Sequence, residues 1–220
     1  MASWNKFYLE KRKLRDYLGS TFAHCELFEE ILKEKSGNIL DIGVGTGITS
    51  IFLSHLGYNI TAIDNNEKIL NSAKDLCNNL HGKVNYRLCN AFNLDKIFKA
   101  GDFNVICSQG FFEHFNNEQI CDLLNQQLKI AKTIFISVPS KYYIKKDFGN
   151  ERLMGIKDWR KILAPFTLNI DFIKYYGFYL PPRKSLYSFI VNPAFIFKFI
   201  LGTVLKERSQ ILIKLKSGLK

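Results

Sequence analysis

Short runs of apolar and β-branched residues alternate along this chain with segments whose apolar positions recur at helical spacing. The runs are rich in Ile, Val, Phe and Tyr, as buried parallel strands are. Five of them predict strands, at residues 38–43, 59–64, 84–90, 103–109 and 133–139. Between the last two, residues 116–131 place an apolar residue at every third or fourth position, which predicts a helix with Asn117 as its N-cap.

This alternation predicts an α/β fold, namely a doubly wound, Rossmann-like sheet with helices on both faces. Residues 167–176 and 186–192 are predicted as a final pair of strands. The expected sheet is therefore seven-stranded and mostly parallel, with a final antiparallel strand. In such sheets, ligands bind outside the carboxyl ends of the strands.

Composition narrows the class of protein. A chain of 220 residues with 47% hydrophobic content is long enough for one domain with a proper core. Its five cysteines form no CxxC pair and no cluster with histidine, so we expect neither disulfides nor a metal site. The amino terminus lacks the pattern of a secretory signal, and no apolar run reaches the roughly 18 residues of a membrane span. The expected location is cytoplasmic.

The net charge of +11 is carried entirely by residues 141–220, which contain 16 Lys and Arg against 5 Asp and Glu. An excess confined to one part of a chain favours an anionic partner, such as a phosphate-bearing substrate, a nucleic acid or lipid headgroups. A solvated basic face without a partner is the alternative.

The stretch NILDIGVGTGITS, residues 38–50, places three glycines between the first strand and a helix predicted to begin near Thr46. Gly43, Gly45 and Gly47 allow backbone angles closed to other residues and leave room for a ligand against bare backbone. Their G-x-G-x-G spacing is one residue tighter than the dinucleotide motif and argues against NAD. Asp64 ends the second strand, where a carboxylate can accept hydrogen bonds from both hydroxyls of a ribose. Capping of the helix at residues 67–80 is its alternative role.

Four segments carry a family resemblance, and one of them is TAIDNN at residues 61–66, which contains Asp64. LDIGVGTG, at residues 40–47, is similar to the first motif of the class I S-adenosylmethionine (SAM) dependent methyltransferases. LCNAFNLD, at residues 88–95, and FNVICSQGFFEHF, at residues 103–115, resemble the same family's segments after the third strand and around the fourth. The resemblance covers about residues 37–140. Asn90 stands where the family commonly has an acid that meets the adenine amino group, and its amide oxygen can still accept that hydrogen bond.

The resemblance implies S-adenosyl-L-methionine as the cofactor. The residues it assigns to cofactor binding are Asp41, Gly43, Gly45, Gly47, Asp64, Asn65, Asn90, Ala91, Ser108 and Gln109. It further implies methyl transfer to an oxygen, nitrogen or carbon of a small or lipid-linked acceptor. An RNA or protein substrate, or a noncatalytic binding protein with this fold, remains open. The chain lacks the proline-containing segment that accompanies amino methylation of nucleic-acid bases in this fold.

Candidate catalytic residues follow the fourth strand. His114 has the residue type of a general base, and Glu113 is placed to orient either the substrate or His114. A purely structural role for the pair is the alternative. Four further residues are candidates for substrate contact: Phe112, Tyr142, Tyr143 and Arg152. The other histidines, His24, His55 and His81, are interpreted as structural.

Three regions are expected: a helical cover at residues 1–36, the SAM-binding methyltransferase domain at residues 37–192, and a basic amphipathic helical segment at residues 193–220. Basic amphipathic helices bind anionic membranes, so peripheral contact with the inner membrane surface is one prediction for the last region. Its packing on the sheet or across a dimer is the other.

Overall fold

The structure, a computed structural model, describes residues 8, 12–34, 37–143, 149–177 and 208–219 and builds them around one seven-stranded sheet. The strands are β1 (Asn38–Ile42), β2 (Asn59–Asp64), β3 (Val84–Leu88), β4 (Phe103–Gln109), β5 (Ala131–Pro139), β6 (Ile170–Tyr176) and β7 (Gln210–Lys216). The helices are α1 (Leu14–Ala23), α2 (Cys25–Leu32), α3 (Ile48–His55), α4 (Glu67–Asn79), α5 (Leu94–Ile97), α6 (Asn117–Ile130) and α7 (Ile156–Ile162). Short 3-10 turns lie at Ala91–Asn93, Phe112–His114 and Ala164–Asn169.

The strand order is β3-β2-β1-β4-β5-β7-β6. The first five strands are parallel, and β7 runs antiparallel between β5 and β6. The predicted α/β sheet, with its parallel majority and antiparallel last strand, is confirmed. From β1 the chain continues to β2 on one side, and from β4 it continues to β5 on the other, so the strand order reverses between β1 and β4. Open α/β sheets hold their ligands at such a point.

Helices cover both faces of the sheet. On one face, Leu27 and Ile31 of α2 pack with Ile39, Val105 and Phe135. On the other face, α6 contributes apolar residues to a larger cluster that includes β1, β4, β5 and β7. Both faces of the central strands are thereby buried, which explains their continuous apolar runs.

The position of the last strand corrects the prediction. Gln210–Lys216 form β7, so the prediction of a helical segment over 193–220 is wrong for these residues. The strand is buried, and Lys214 within it forms ion pairs with Glu34 at 2.9 Å and Asp171 at 3.2 Å. The strand predicted at 186–192 and the start of the predicted helical segment, residues 193–207, lie outside the described residues.

Two helix starts and one helix cap also differ from the prediction. The helix after the glycine turn begins at Ile48. Asn66, rather than Asp64, caps α4 through its Oδ1 atom, which accepts from the Lys68 amide at 3.0 Å. Asn116 caps α6 one residue before the predicted Asn117, in a reciprocal capping box with Gln119.

Candidate functional site

The glycine turn between β1 and α3 leaves backbone bare at the carboxyl edge of the sheet. Gly43 and Gly45 have φ values of +70° and +52°, in the left-handed region that favours glycine. A Cβ atom on Gly43 would lie 2.5 Å from the Phe111 ring, and one on Gly45 would lie 2.7 Å from the Tyr8 ring. Neither position has room for a side chain.

Two adjoining cavities lie over this turn. The Asp41 cavity, of about 270 Å³, is reached by Asp41, Thr49, Gln109, Glu113 and residues of α1. The Asp64 cavity, of about 350 Å³, is reached by Asp64, Asn65, Asn90 and Ala91. Taken together, the two cavities are of the size of a small-molecule site, which is roughly 300–1,000 Å³. Five described residues belong to both cavities and form their boundary: Tyr8, Gly43, Gly45, Gly110 and His114.

The Asp64 cavity has hydrogen-bonding groups at its strand ends. Asp64 Oδ1 accepts from the Asn66 amide at 3.0 Å, and burial raises the pKa of this carboxyl. The backbone amides of Gly45 and Asn65 also donate to this carboxylate. Since a carboxylate has about four lone-pair sites, it keeps capacity for a further donor. Asn90 Oδ1 accepts from the Phe92 amide at 3.0 Å, which fixes the direction of its side chain. Phe111 and Phe115 supply an aromatic wall.

The Asp41 cavity contains several buried acidic groups. Ser50 Oγ donates to Asp41 Oδ2 at 2.6 Å, and complete burial raises the pKa of Asp41 to about 7. Burial also raises the pKa of Glu113 to about 8, with a further contribution from the charge of Glu151. Glu113 is therefore mainly protonated at pH 7, when it can both donate and accept a hydrogen bond.

His114 lies at the boundary of the two cavities. Its Nδ1 atom is 3.0 Å from Asn150 Oδ1, and since an amide oxygen only accepts, this contact places the ring proton on Nδ1. The remaining nitrogen, Nε2, is 3.8 Å from Glu113 Oε1. Burial lowers the pKa of His114 and raises that of Glu113, so at pH 7 this contact joins two neutral groups.

A chain of hydrogen bonds connects the Asp41 cavity to the sheet interior. Thr49 Oγ1 donates to Gln109 Oε1 at 3.0 Å, and Gln109 Nε2 lies 2.6 Å from Nε2 of His24. His24 Nδ1 lies 2.7 Å from the hydroxyl of Tyr176, which also bonds to Ser137. Because the amide nitrogen of Gln109 only donates, His24 accepts at Nε2 and donates from Nδ1. Burial lowers the pKa of His24 to about 4, so the ring is neutral in this chain.

Three residues assigned to the cofactor or the substrate are buried away from both cavities. Gly47 packs on α4, because its Cβ would lie 3.0 Å from the Ala73 side chain. Ser108 lines neither cavity and is 1% exposed. Phe112 is fully buried in the core, and its neighbours Phe111 and Phe115 line the Asp64 cavity instead.

Two of the predicted substrate residues support the segment after β5. Arg152 donates to the Phe115 carbonyl at 2.5 Å and to Asn117 Oδ1 at 2.6 Å. Tyr142 packs against Tyr175, with ring centroids 5.8 Å apart. Neither lines a cavity, whereas Tyr143 lines the Asp41 cavity.

The residues that line the cavities without having been predicted as site residues include Tyr8, His24, Thr49, Asn150 and Glu151. His24 was expected to be structural, because nothing adjacent in the chain suggests its partners Gln109 and Tyr176. The sequence could have indicated Thr49 as a site residue, because it lies in the first turn of the helix after the glycines.

Within the described residues, no group of three or more His, Cys, Asp or Glu side chains is placed to hold a metal ion. None of the helices described is long and apolar enough to cross a membrane.

Comparison with known proteins gives a consistent result. Residues 39–133 match the family described as "Methyltransferase domain". The chain is 28% identical over 144 residues to the mitochondrial ubiquinone biosynthesis O-methyltransferase of Rattus norvegicus, in a match that covers 59% of this chain and 41% of the relative. It is 29% identical over 161 residues to the ubiquinone biosynthesis O-methyltransferase of Colwellia psychrerythraea, covering 66% and 64% of the two chains. These matches span less than two thirds of the relatives' own length.

A solved structure extends the likeness to nearly the whole fold. Magnesium protoporphyrin IX methyltransferase from Synechocystis, solved with bound SAM, has a TM-score of 0.61 and 13% identity. That match covers 98% of this chain and 89% of the other. At this identity the likeness concerns the fold alone. Residues 39–133 are therefore similar to a methyltransferase domain, and the strand order agrees with that similarity.

Proposed function

We propose that this protein transfers a methyl group from SAM to a small or lipid-linked acceptor, and that the acceptor atom is an oxygen. The observation that carries the proposal is the position of His114 at the boundary of two cavities. One cavity fits a nucleoside, and the other presents polar groups to a second molecule. The names of the curated relatives, which specify O-methylation, support oxygen over nitrogen or carbon.

The residues present fit SAM. Gly43 and Gly45 line both cavities and carry no Cβ, so a ligand there can approach the backbone of the turn. Asp64, Asn90 and Ala91 line one cavity, and we assign Asp64 to the ribose and the other two to the adenine. When bound, SAM supplies an electrophilic methyl group on a positively charged sulfur.

His114 is the proposed general base. Its Nδ1 proton is held by Asn150, and the lone pair on Nε2 would take the proton of the acceptor hydroxyl that receives the methyl group. The lowered pKa keeps the ring neutral and ready to accept. Once protonated, the ring is stabilised by the nearby charge of Glu151. Such bases contribute roughly 10²- to 10⁴-fold in rate.

Acceptor contact is assigned to the Asp41 cavity. Glu113, Tyr143 and Glu151 line it beside His114 and can hydrogen-bond a hydroxylated molecule. Alignment of acceptor oxygen and methyl carbon is the larger part of catalysis in a displacement of this kind.

We further propose that the protein contacts an anionic membrane, which suits a lipid-linked acceptor. It is supported by α1, where Leu14, Leu18 and Phe22 lie one turn apart and are 60%, 56% and 56% exposed. Lys13 and Arg15 are exposed beside them. An apolar stripe flanked by cations is typical of helices that lie on anionic lipid.

The test of function is incorporation of labelled methyl from SAM into a panel of acceptors. The panel contains hydroxylated aromatic rings with and without an isoprenoid tail, and primary amines. We expect incorporation into an oxygen acceptor, reduced at least 100-fold in His114→Ala and unchanged in His81→Asn, an exposed histidine outside both cavities. SAM binding without incorporation into any panel member would overturn the proposed activity and favour a binding protein.

A further inference from the structure

Tyr8 occupies a distinctive place in the site. It is one of the five described residues shared by the Asp41 and Asp64 cavities, and its ring lies directly against Gly45. Two contacts hold it there. Ser72 Oγ of α4 donates to the Tyr8 carbonyl at 3.1 Å, and the side chain packs on the apolar cluster of Val44, Ile69 and Ala73.

The chemistry of SAM locates its charge relative to these cavities. SAM joins a nucleoside to an amino-acid chain through one positively charged sulfur. The nucleoside half is assigned to the Asp64 cavity by Asp64 and Asn90. The glycine turn and the Asp41 cavity would hold the other half, which would bring the sulfur to the boundary between the two cavities.

Among the described residues, those shared by both cavities include no carboxylate. The other described residues shared by both cavities are three glycines and His114. Burial lowers the pKa of His114 and raises that of Glu113 to about 8, so both are mainly neutral at pH 7. An aromatic ring attracts a cation through the negative charge on its face, most strongly where water is excluded.

We propose that the ring of Tyr8 is the sulfonium-binding element of this site and stabilises the positive sulfur by a cation–π contact. The inference rests on the proposed use of SAM. It gives Tyr8 a role in distinguishing the charged cofactor from its neutral product, S-adenosylhomocysteine (SAH), because the attraction ends when the methyl group and the charge have left the sulfur.

The test compares the binding of SAM, SAH and sinefungin, an analogue that carries a charged amine in place of the methylsulfonium, by calorimetry at pH 7. The variants are Tyr8→Leu, which keeps apolar volume but removes the ring, and Tyr8→Phe, which keeps the ring. We expect Tyr8→Leu to weaken SAM and sinefungin roughly 3- to 30-fold more than SAH. Tyr8→Phe is expected to retain the wild-type ratio of SAM to SAH affinity.

The possible results distinguish the inference about Tyr8 from the proposed function. Equal weakening of SAM and SAH in Tyr8→Leu would reduce Tyr8 to a packing residue and overturn the inference, with the proposed function intact. A loss of the SAM preference in Tyr8→Phe would transfer the effect from the ring to the hydroxyl and also overturn it. Failure of the wild-type protein to bind either ligand would overturn the proposed function itself.

Discussion

Gln109 and His24 lie 85 positions apart in the chain, yet the amide nitrogen of Gln109 is 2.6 Å from Nε2 of His24 at the wall of the Asp41 cavity. His24 sits where α1 meets α2, and its other nitrogen bonds to Tyr176 at the end of β6. The amino-terminal helices are thus tied through one buried ring to two strands of the sheet.

Removing this ring should destabilise the fold. His24→Ala removes the acceptor of the Gln109 amide nitrogen and one of the two partners of the Tyr176 hydroxyl, which keeps Ser137. A buried polar group left unpaired costs about 1–3 kcal/mol. We expect a lower free energy of unfolding in urea for His24→Ala. His81→Asn, an exposed change, should match the wild-type protein. An unaltered stability of His24→Ala would mean that the hydrogen-bond chain contributes nothing.

The glycine turn permits a test that separates backbone strain from close approach. Gly45 and Gly101 both have positive φ, +52° and +82°, but only Gly45 has an atom near its Cβ position. Both Gly45→Ala and Gly101→Ala should lose about 1 kcal/mol of stability from backbone strain. Gly45→Ala should also displace Tyr8 and weaken SAM binding at least 10-fold by calorimetry. Equal SAM affinities of the two variants would remove the turn from the site.

Glu113 should make stability depend on pH. Its pKa rises from an ordinary value of 4.5 to about 8 on folding, so between these pH values the folded state holds a proton that the unfolded state has released. Its contribution to stability is therefore lost as pH rises from about 5 to 8, at up to about 1.4 kcal/mol per pH unit.

Urea unfolding at pH 5, 6, 7 and 8 measures this contribution. Glu113→Gln keeps a neutral side chain of the same shape, so the stability of the wild-type protein relative to Glu113→Gln should fall across this range. The exposed Glu118→Gln should show no such trend. A constant difference between the wild-type protein and Glu113→Gln would show that Glu113 is ionised in the folded state throughout.

Membrane contact is tested by flotation with vesicles that contain phosphatidylglycerol. We expect binding at low salt that weakens as salt rises, and its loss in the triple variant Leu14→Ser, Leu18→Ser, Phe22→Ser. Leu168→Ser is the matched control, because Leu168 is fully exposed and lies outside α1. Failure of the wild-type protein to float at low salt would exclude the proposed contact.

Local sequence patterns were sufficient to predict most of the fold. The buried parallel strands are continuous apolar runs, and the glycine turn is readable because three glycines follow one of them. The last strand was missed for a physical reason. Lys214 and Lys216 interrupt its apolar pattern, and the partners that permit burial of Lys214, Glu34 and Asp171, lie elsewhere in the chain.

The site was predictable only in part. Residues at strand ends, such as Asp64 and Asn90, follow from topology alone. The direction of a side chain does not follow from topology. Phe112 and Arg152 were therefore assigned to the substrate, although Phe112 lies in the core and Arg152 donates to the Phe115 carbonyl. Tyr8 and His24 reach the site from the amino-terminal segment, and no spacing in the sequence relates them to the glycine turn.

The most direct test of the account is calorimetric titration of the purified protein and of Asp64→Ala with SAM. We predict that the wild-type protein binds SAM and that Asp64→Ala binds it roughly 10- to 100-fold more weakly, since hydrogen bonds to a charged group contribute about 1.5–3 kcal/mol. Asp75→Ala, an exposed change on α4, should retain the wild-type affinity. Absence of SAM binding by the wild-type protein, or an unchanged affinity in Asp64→Ala, would contradict the account.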